Sequence, residues 1–454
     1  MKPMAVVESW GRPVALVVAV TAAFGAVPVS AQSPVDPALA TFIATIKAVD
    51  NHSHVNSTAP EDADFDALPI DGLPAFTLPA RARPENPEWL AGYKALYGYP
   101  HGDLSEPHLS ELRATMKRVA KEQGDRFPEW VLDKIGIEVM VANRIAMGPG
   151  LAPPRFRWAS YVDALMLPLS IQAESKSNGD RAVLYPLVEK LRRRYLEDLH
   201  IATLPATLDA YRSTVLTPTL ERQRKGGCIA VKFEAAYLRK LDFDDPDEAV
   251  ARSVYARYAA GGEPSHAEYK ALQDFLFREI AREAGRLGMA VHIHSFEGAG
   301  GFYTVGGSDP LLLEPALGDQ ALRNTTFVIV HGGGIFASHT GALLARPNVY
   351  ADFSVMPQFY TAAHLAGILR EWLTLYPEKV LFGTDAFASG PDAGWELSAW
   401  LASTTARQAI GIALTEMIRA HEVTRARAEE IATMVLRTNA ARLYKLPLEQ
   451  HAGS

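Results

Sequence analysis

The sequence predicts an α/β chain folded as one (β/α)8 TIM barrel with helical insertions, preceded by a cleaved signal peptide. Three observations carry this expectation. Eight short apolar runs recur along the chain, amphipathic helical stretches separate the later ones, and the first run lacks the glycine-rich turn that an open doubly wound sheet would place there. Alternating strands and helices imply parallel pairing, and eight repeats suffice to close a barrel.

At the chain start, Lys2 and Arg12 precede the apolar run VALVVAVTAAFGAVPV, and Val29-Ser30-Ala31 supplies the small residues a signal peptidase reads. Residues 1–31 are therefore expected to be removed, leaving 32–450 as a single domain in a periplasmic or secreted protein. The run is shorter than a bilayer span prefers and Pro28 breaks its end, so no stable membrane anchor is expected. Export invites disulfides, yet Cys228 is the one cysteine, so a large core must hold the fold; its setting, GGCIAVKF, reads as a small buried side chain. A hydrophobic fraction of 48% supplies that core. The net charge of −7, with no basic stripe beyond 190–194, offers nothing to neutralise phosphates, so nucleic acid is not an expected partner.

The eight runs are IKAVDNH (46–52), IGIEVMVAN (135–143), YVDALML (161–167), CIAVKF (228–233), MAVHIH (289–294), TFVIVH (326–331), VYADFS (349–354) and KVLFGTD (379–385). Patterns such as HAEYKALQDFLFREIAREAGRLG lie between the later ones, with apolar positions at helical spacing and a closing glycine. Residues 57–87 are proline-rich and polar and read as loop. A helical insertion at about 88–133 and a long helical pair at 181–225 are placed to roof a barrel mouth.

Enzymes on this architecture build their sites at the carboxyl ends of the strands. Here the first run ends in His52 and His54, the fourth in Lys232, the fifth in His294, the sixth in His331 and the eighth in Asp385. Residues two apart in a strand point the same way, so the imidazoles of His52 and His54 converge. Alternation puts Cys228, Ala230 and Lys232 on one face, and places His292 one layer below His294. In the eighth run Gly383 leaves room beside Asp385. Singly, each residue has a structural reading: a hydrogen-bonded core histidine, a capping aspartate, a lysine paired with Glu234. Together, four histidines and an aspartate at successive strand ends would be costly unless bonded to something, and imidazole nitrogen with carboxylate oxygen is the donor set zinc prefers.

The HSH after the first run, VHIH, IVHGGG and FGTD, taken in order, resemble the amidohydrolase superfamily, specifically its amidohydrolase-related (amidohydrolase 2) branch; the resemblance runs from about Val49 to the terminal TNAARLYKL. It implies a metal-dependent enzyme with His52, His54, His294 and Asp385 around one or two divalent cations, zinc by preference. It also implies that His331 either binds a second metal or polarises substrate, and that Lys232 stands where binuclear members carry a carboxylated lysine. The segment KFEAAYLR suggests Tyr237 or Arg239 near the substrate.

The expected chemistry is hydrolysis of a C–N or C–O bond (amide, lactam, lactone or ester) of a small molecule, with Asp385 moving the proton and His331 stabilising the oxyanion. Non-oxidative decarboxylation of an aromatic or enolic acid is the alternative, and an exported metal- or solute-binding protein without turnover is the reading from another class. No GxSxG or HExxH occurs, and GGG at 332–334 lacks dinucleotide-loop spacing. Arg144, Arg155 and Arg157 are open between holding a substrate carboxylate and pairing internally. Self-association as a homo-oligomer is compatible with the sequence and not specified by it.

Overall fold

Eight parallel strands run in sheet order one to eight: β1 (Ala48–Ser53), β2 (Ile137–Arg144), β3 (Phe156–Tyr161), β4 (Cys228–Phe233), β5 (Ala290–His294), β6 (Phe327–Val330), β7 (Val349–Asp352) and β8 (Val380–Leu381). The computed structural model describes residues 34–448 apart from 75, 389 and 391; the expected signal segment, 1–31, lies outside the described residues. Backbone bonds close the ring beyond the short β8: Asn51 N–H donates to Phe382 O at 2.9 Å, Asp385 N–H to His52 O at 2.8 Å and His54 N–H to Ala386 O at 2.7 Å. The result is the expected (β/α)8 barrel.

Period-two alternation decides what faces where. Val49, Val141, Ala159, Ala230, Ala290 and Val328 form a narrow inner cluster, while Val231, Phe233, Val291, Ile293 and Phe327 join the larger core beneath the surrounding helices. The terminal helix Asn439–Tyr444 packs Ala440, Leu443 and Tyr444 onto the inner cluster. The helix His266–Arg286, expected from its spacing, opens with a capping box in which Ser265 and Glu268 satisfy each other's backbone N–H groups. The insertion forms helices Glu88–Tyr97 and Glu106–Gln123, followed by Phe127–Ile135 leading into β2. Among the described residues no helix is long and apolar enough to cross a membrane.

The third strand differs from expectation. FRWASY, not YVDALML, forms β3, pairing Met140 with Phe156 through Arg144 with Ser160 on one side and Tyr161 with Lys232 on the other. Residues Asp163–Met166 instead make a helical turn in which every side chain is buried, so no alternation marks it and apolarity alone misleads. The Asp163 carboxylate holds that turn by accepting the Glu234 N–H at 2.9 Å. Just past β8 the chain runs close to β7: a Cβ on Gly383 would lie 2.7 Å from Ser354 Cβ, so the backbone passes where only glycine fits.

Candidate metal centre

The strand ends bring His52, His54 and Asp385 together, with one potential ligand atom from each lying within 4.8 Å of the others. His52 Nε2 stands 3.1 Å and His54 Nε2 3.5 Å from Asp385 Oδ1. The other two strand-end histidines border this trio: the His331 ring centroid is 4.9 Å from that of His52 and 4.7 Å from that of His294. Lys232 is fully buried and donates to Glu234 Oε1 at 2.5 Å, while Glu234 Oε2 lies 3.4 Å from His294 Nδ1. The pairing of Lys232 with Glu234 is the structural alternative the sequence offered. His292 sits a layer below, where its Nε2 meets the Tyr444 hydroxyl at 2.6 Å.

Hydrogen bonds at the far side of each ring orient it. His54 Nδ1 donates to Asp66 Oδ2 at 3.0 Å, which leaves the Nε2 lone pair facing Asp385, the arrangement that a carboxylate imposes on a metal-binding histidine. His331 Nδ1 donates to Ser354 O at 3.2 Å. The Asn143 amide lies 2.8 Å from His52 Nδ1. Two site residues carry left-handed backbones, His331 at φ 66° and Asp385 at φ 53°, conformations that cost of order 1–3 kcal/mol each and are retained where surroundings enforce them. For Asp385 those surroundings include the Gln358 amide, which donates to Asp385 O at 2.7 Å and Thr384 O at 2.9 Å.

Burial is the largest influence on the cluster's charges. Burial, aided by the charge of Lys232, holds His52 and His294 far below the ordinary histidine range; for His331 burial acts with its neighbours His294 and Lys232. These rings are neutral, as ligation requires. Burial opposes protonation of His54 too, but the adjacent Asp66 and Asp385 lift it above its usual value. Burial pushes Asp385 up to about 6, against the pull of His54 and Lys232. The donor set fits a divalent ion on one further count: His52 Nε2, His294 Nε2, Asp385 Oδ1 and Glu234 Oε2 are all buried without a hydrogen-bond partner. Such atoms are tolerated where something else bonds them.

The two substrate candidates stand differently. Tyr237 packs its ring 4.6 Å from that of His294 and 5.3 Å from that of Tyr303, and it also lines a cavity of about 230 Å³ together with Phe302, Lys240 and Arg239. Arg239 is engaged within the protein, 2.7 Å from Asp274 and 4.5 Å above the Phe243 ring, at the edge of the same cavity. Arg144 and Arg155 are also spent internally, on Asp62 at 2.5 Å and Asp133 at 2.9 Å, which settles their reading as ion pairs. Sequence reasoning missed Asp66, Asn143, Asp352 and Ser354. Asp66 lies in the proline-rich loop, where no periodicity marks a residue; the others are polar residues within or next to strands, and alternation alone does not say which ring each one meets.

The amidohydrolase family model matches residues 234–446. His294, His331 and Asp385 lie inside that match; His52, His54 and Lys232 lie outside it and reach the same centre through β1 and β4. Among solved structures, the chain is similar to a glucuronate isomerase from Caulobacter crescentus (13% identity, 91% of this chain and 94% of that one, TM-score 0.59). It is likewise similar to a protein designated a metal-dependent hydrolase from Lactobacillus casei (15%, 90% and 97%, TM-score 0.55) and to a uronate isomerase from Thermotoga maritima (15%, 90% and 98%, TM-score 0.53). At these identities the likeness is one of fold. No curated protein matches the sequence.

Proposed function

We propose that this chain, whose residues 234–446 match the amidohydrolase family model, is a metal-dependent hydrolase of that superfamily cleaving a C–N or C–O bond (amide, lactam, lactone or ester) of a small organic molecule. The observation that carries the reading is the set of buried, partnerless polar atoms of His52, His294, Asp385 and Glu234 gathered at the strand ends. His52, His54, His294 and Asp385 would hold the ion, with His331 and Lys232 as further ligands at its edge. Zinc is the ion the nitrogen-and-oxygen donor set favours. Bound there, it supplies Lewis acidity and acidifies water near neutral pH.

The remaining work falls to the chain's own groups. The Asp385 carboxylate, 3.1 Å from His52 and 3.5 Å from His54, takes the proton of the attacking water and returns it to the leaving nitrogen or oxygen. Tyr237, which touches both the cavity and His294, offers its ring to substrate there. The protein is read as exported to the periplasm or beyond, consistent with a scavenging hydrolase.

The test is turnover of a panel of amides, lactams, lactones and esters by metal-loaded, chelator-stripped and Asp385→Asn protein. The proposal expects hydrolysis by loaded wild type alone. Release of carbon dioxide from aromatic or enolic acids without hydrolysis would make the enzyme a decarboxylase, and tight ligand binding with no turnover would make it a binding protein. Turnover undiminished in Asp385→Asn would remove the proton-carrying role.

A further inference from the structure

A one-way run of buried hydrogen bonds links the terminal helix to His331. His292 Nε2 contacts the Tyr444 hydroxyl at 2.6 Å, and that hydroxyl donates to Asn51 Oδ1. The Asn51 amide donates to Asp352 Oδ2 at 2.6 Å. The other Asp352 oxygen accepts three bonds: from His331 N–H at 2.9 Å, from Ser354 N–H at 3.0 Å and from Ser354 Oγ at 2.5 Å. With its own proton committed to Asp352, Ser354 Oγ offers only lone pairs to His331 Nδ1, 2.9 Å away, and Ser354 O offers another. Asn51, His331, Asp352 and Ser354 are all buried, so no solvent competes for these bonds.

Each donor direction follows from the next, and Asp352 is where they end. A carboxylate receiving four donors cannot give a proton back, so the direction does not reverse. The consequence reaches the site: His331 must carry its proton on Nδ1, and the lone pair on Nε2 lies on the ring edge away from Ser354. A neutral ring so held has no N–H to offer an oxyanion; it serves as ligand or proton acceptor.

We propose that Asp352, with Ser354, Asn51 and Tyr444, is a positioning assembly that fixes the tautomer and left-handed backbone of His331, making the terminal helix a working part of the strand-end centre. The consequence for ion affinity rests on the metal-binding reading above; the tautomer does not.

The test uses full-length, metal-free protein labelled with ¹⁵N-histidine, with His331→Gln to identify the His331 signals, and long-range ¹H–¹⁵N spectra to locate its proton. Wild type should show Nδ1–H. Asp352→Asn, which sets an amide against the Asn51 amide and removes the charge, should give a tautomer mixture and weaken Zn²⁺ affinity about tenfold, measured against a chelator. Tyr444→Phe keeps the packing and should give a smaller loss of affinity in the same direction at nearly unchanged melting temperature. Nε2–H in wild type, or an unaltered His331 spectrum in both variants, would overturn the proposal. If wild type binds no ion yet Asp352→Asn shifts the His331 proton, the metal reading falls and the positioning assembly stands.

Discussion

Replacing Asp66 by Asn tests how the ligand rings are prepared. The carboxylate lies 3.0 Å from His54 Nδ1, the Tyr161 hydroxyl adds a contact of 3.1 Å to the same nitrogen, and Asp66 Oδ1 accepts the Leu68 N–H at 3.0 Å. Asn is nearly isosteric and its oxygen can keep one of these bonds, so the loop should hold its shape. What is lost is charge. A hydrogen bond to a charged group contributes about 1.5–3 kcal/mol, and its loss here removes both the fixed tautomer and the added basicity at Nε2. The expected effect is a loss of metal affinity of about 10- to 100-fold, equivalent to about 1.4–2.7 kcal/mol. Competition with a chromophoric zinc chelator measures it, with circular dichroism and melting of the stripped protein as the control for folding. An affinity equal to wild type in a folded variant would refute the claim that Asp66 prepares His54 as a ligand.

Other perturbations follow from particular contacts. Burial drives His292 down to about 3 from an ordinary 6.5, so the unfolded chain binds its proton first as pH falls. The stability it contributes is complete above pH 6.5 and is lost as pH falls toward 3; by pH 5 the loss is about 2 kcal/mol, and His292→Gln should flatten the denaturation midpoint over that window by that amount. Gly383→Ala brings a Cβ to 2.7 Å from Ser354 and should cost about 1–3 kcal/mol in urea denaturation while lowering ion affinity. Arg144→Met leaves Asp62, otherwise held at 2.5 Å, without its cation and should destabilise by about 3 kcal/mol in the same assay, with no selective loss of carboxylate-bearing substrates.

Much of this architecture was legible because the strands are rich in β-branched residues and bounded by turns. β4 matched its run to the residue, and β5 and β6 to within two. β3 was not, because Arg155, Arg157 and the half-buried Trp158 disguise it while a wholly buried helical turn beside it looks more apolar. Strand ends also announced the cluster, since histidine and aspartate there break the apolar pattern. The residues that orient them did not. Asp66 lies 12 positions past His54 in a loop, and Asp352 is 301 positions from Asn51, so only folding brings each to its partner. Sequence spacing likewise does not reveal that Asp274 and Phe243 engage Arg239.

The most direct measurement is elemental analysis of divalent metal per chain on purified wild type, alongside His54→Ala and Asp385→Ala. The account predicts at least one ion per wild-type chain, a fall in melting temperature when a chelator removes it, and little or no ion in either variant. Wild-type protein that carries no metal, takes none up from zinc, manganese, iron or cobalt, and melts identically with and without chelator would contradict it.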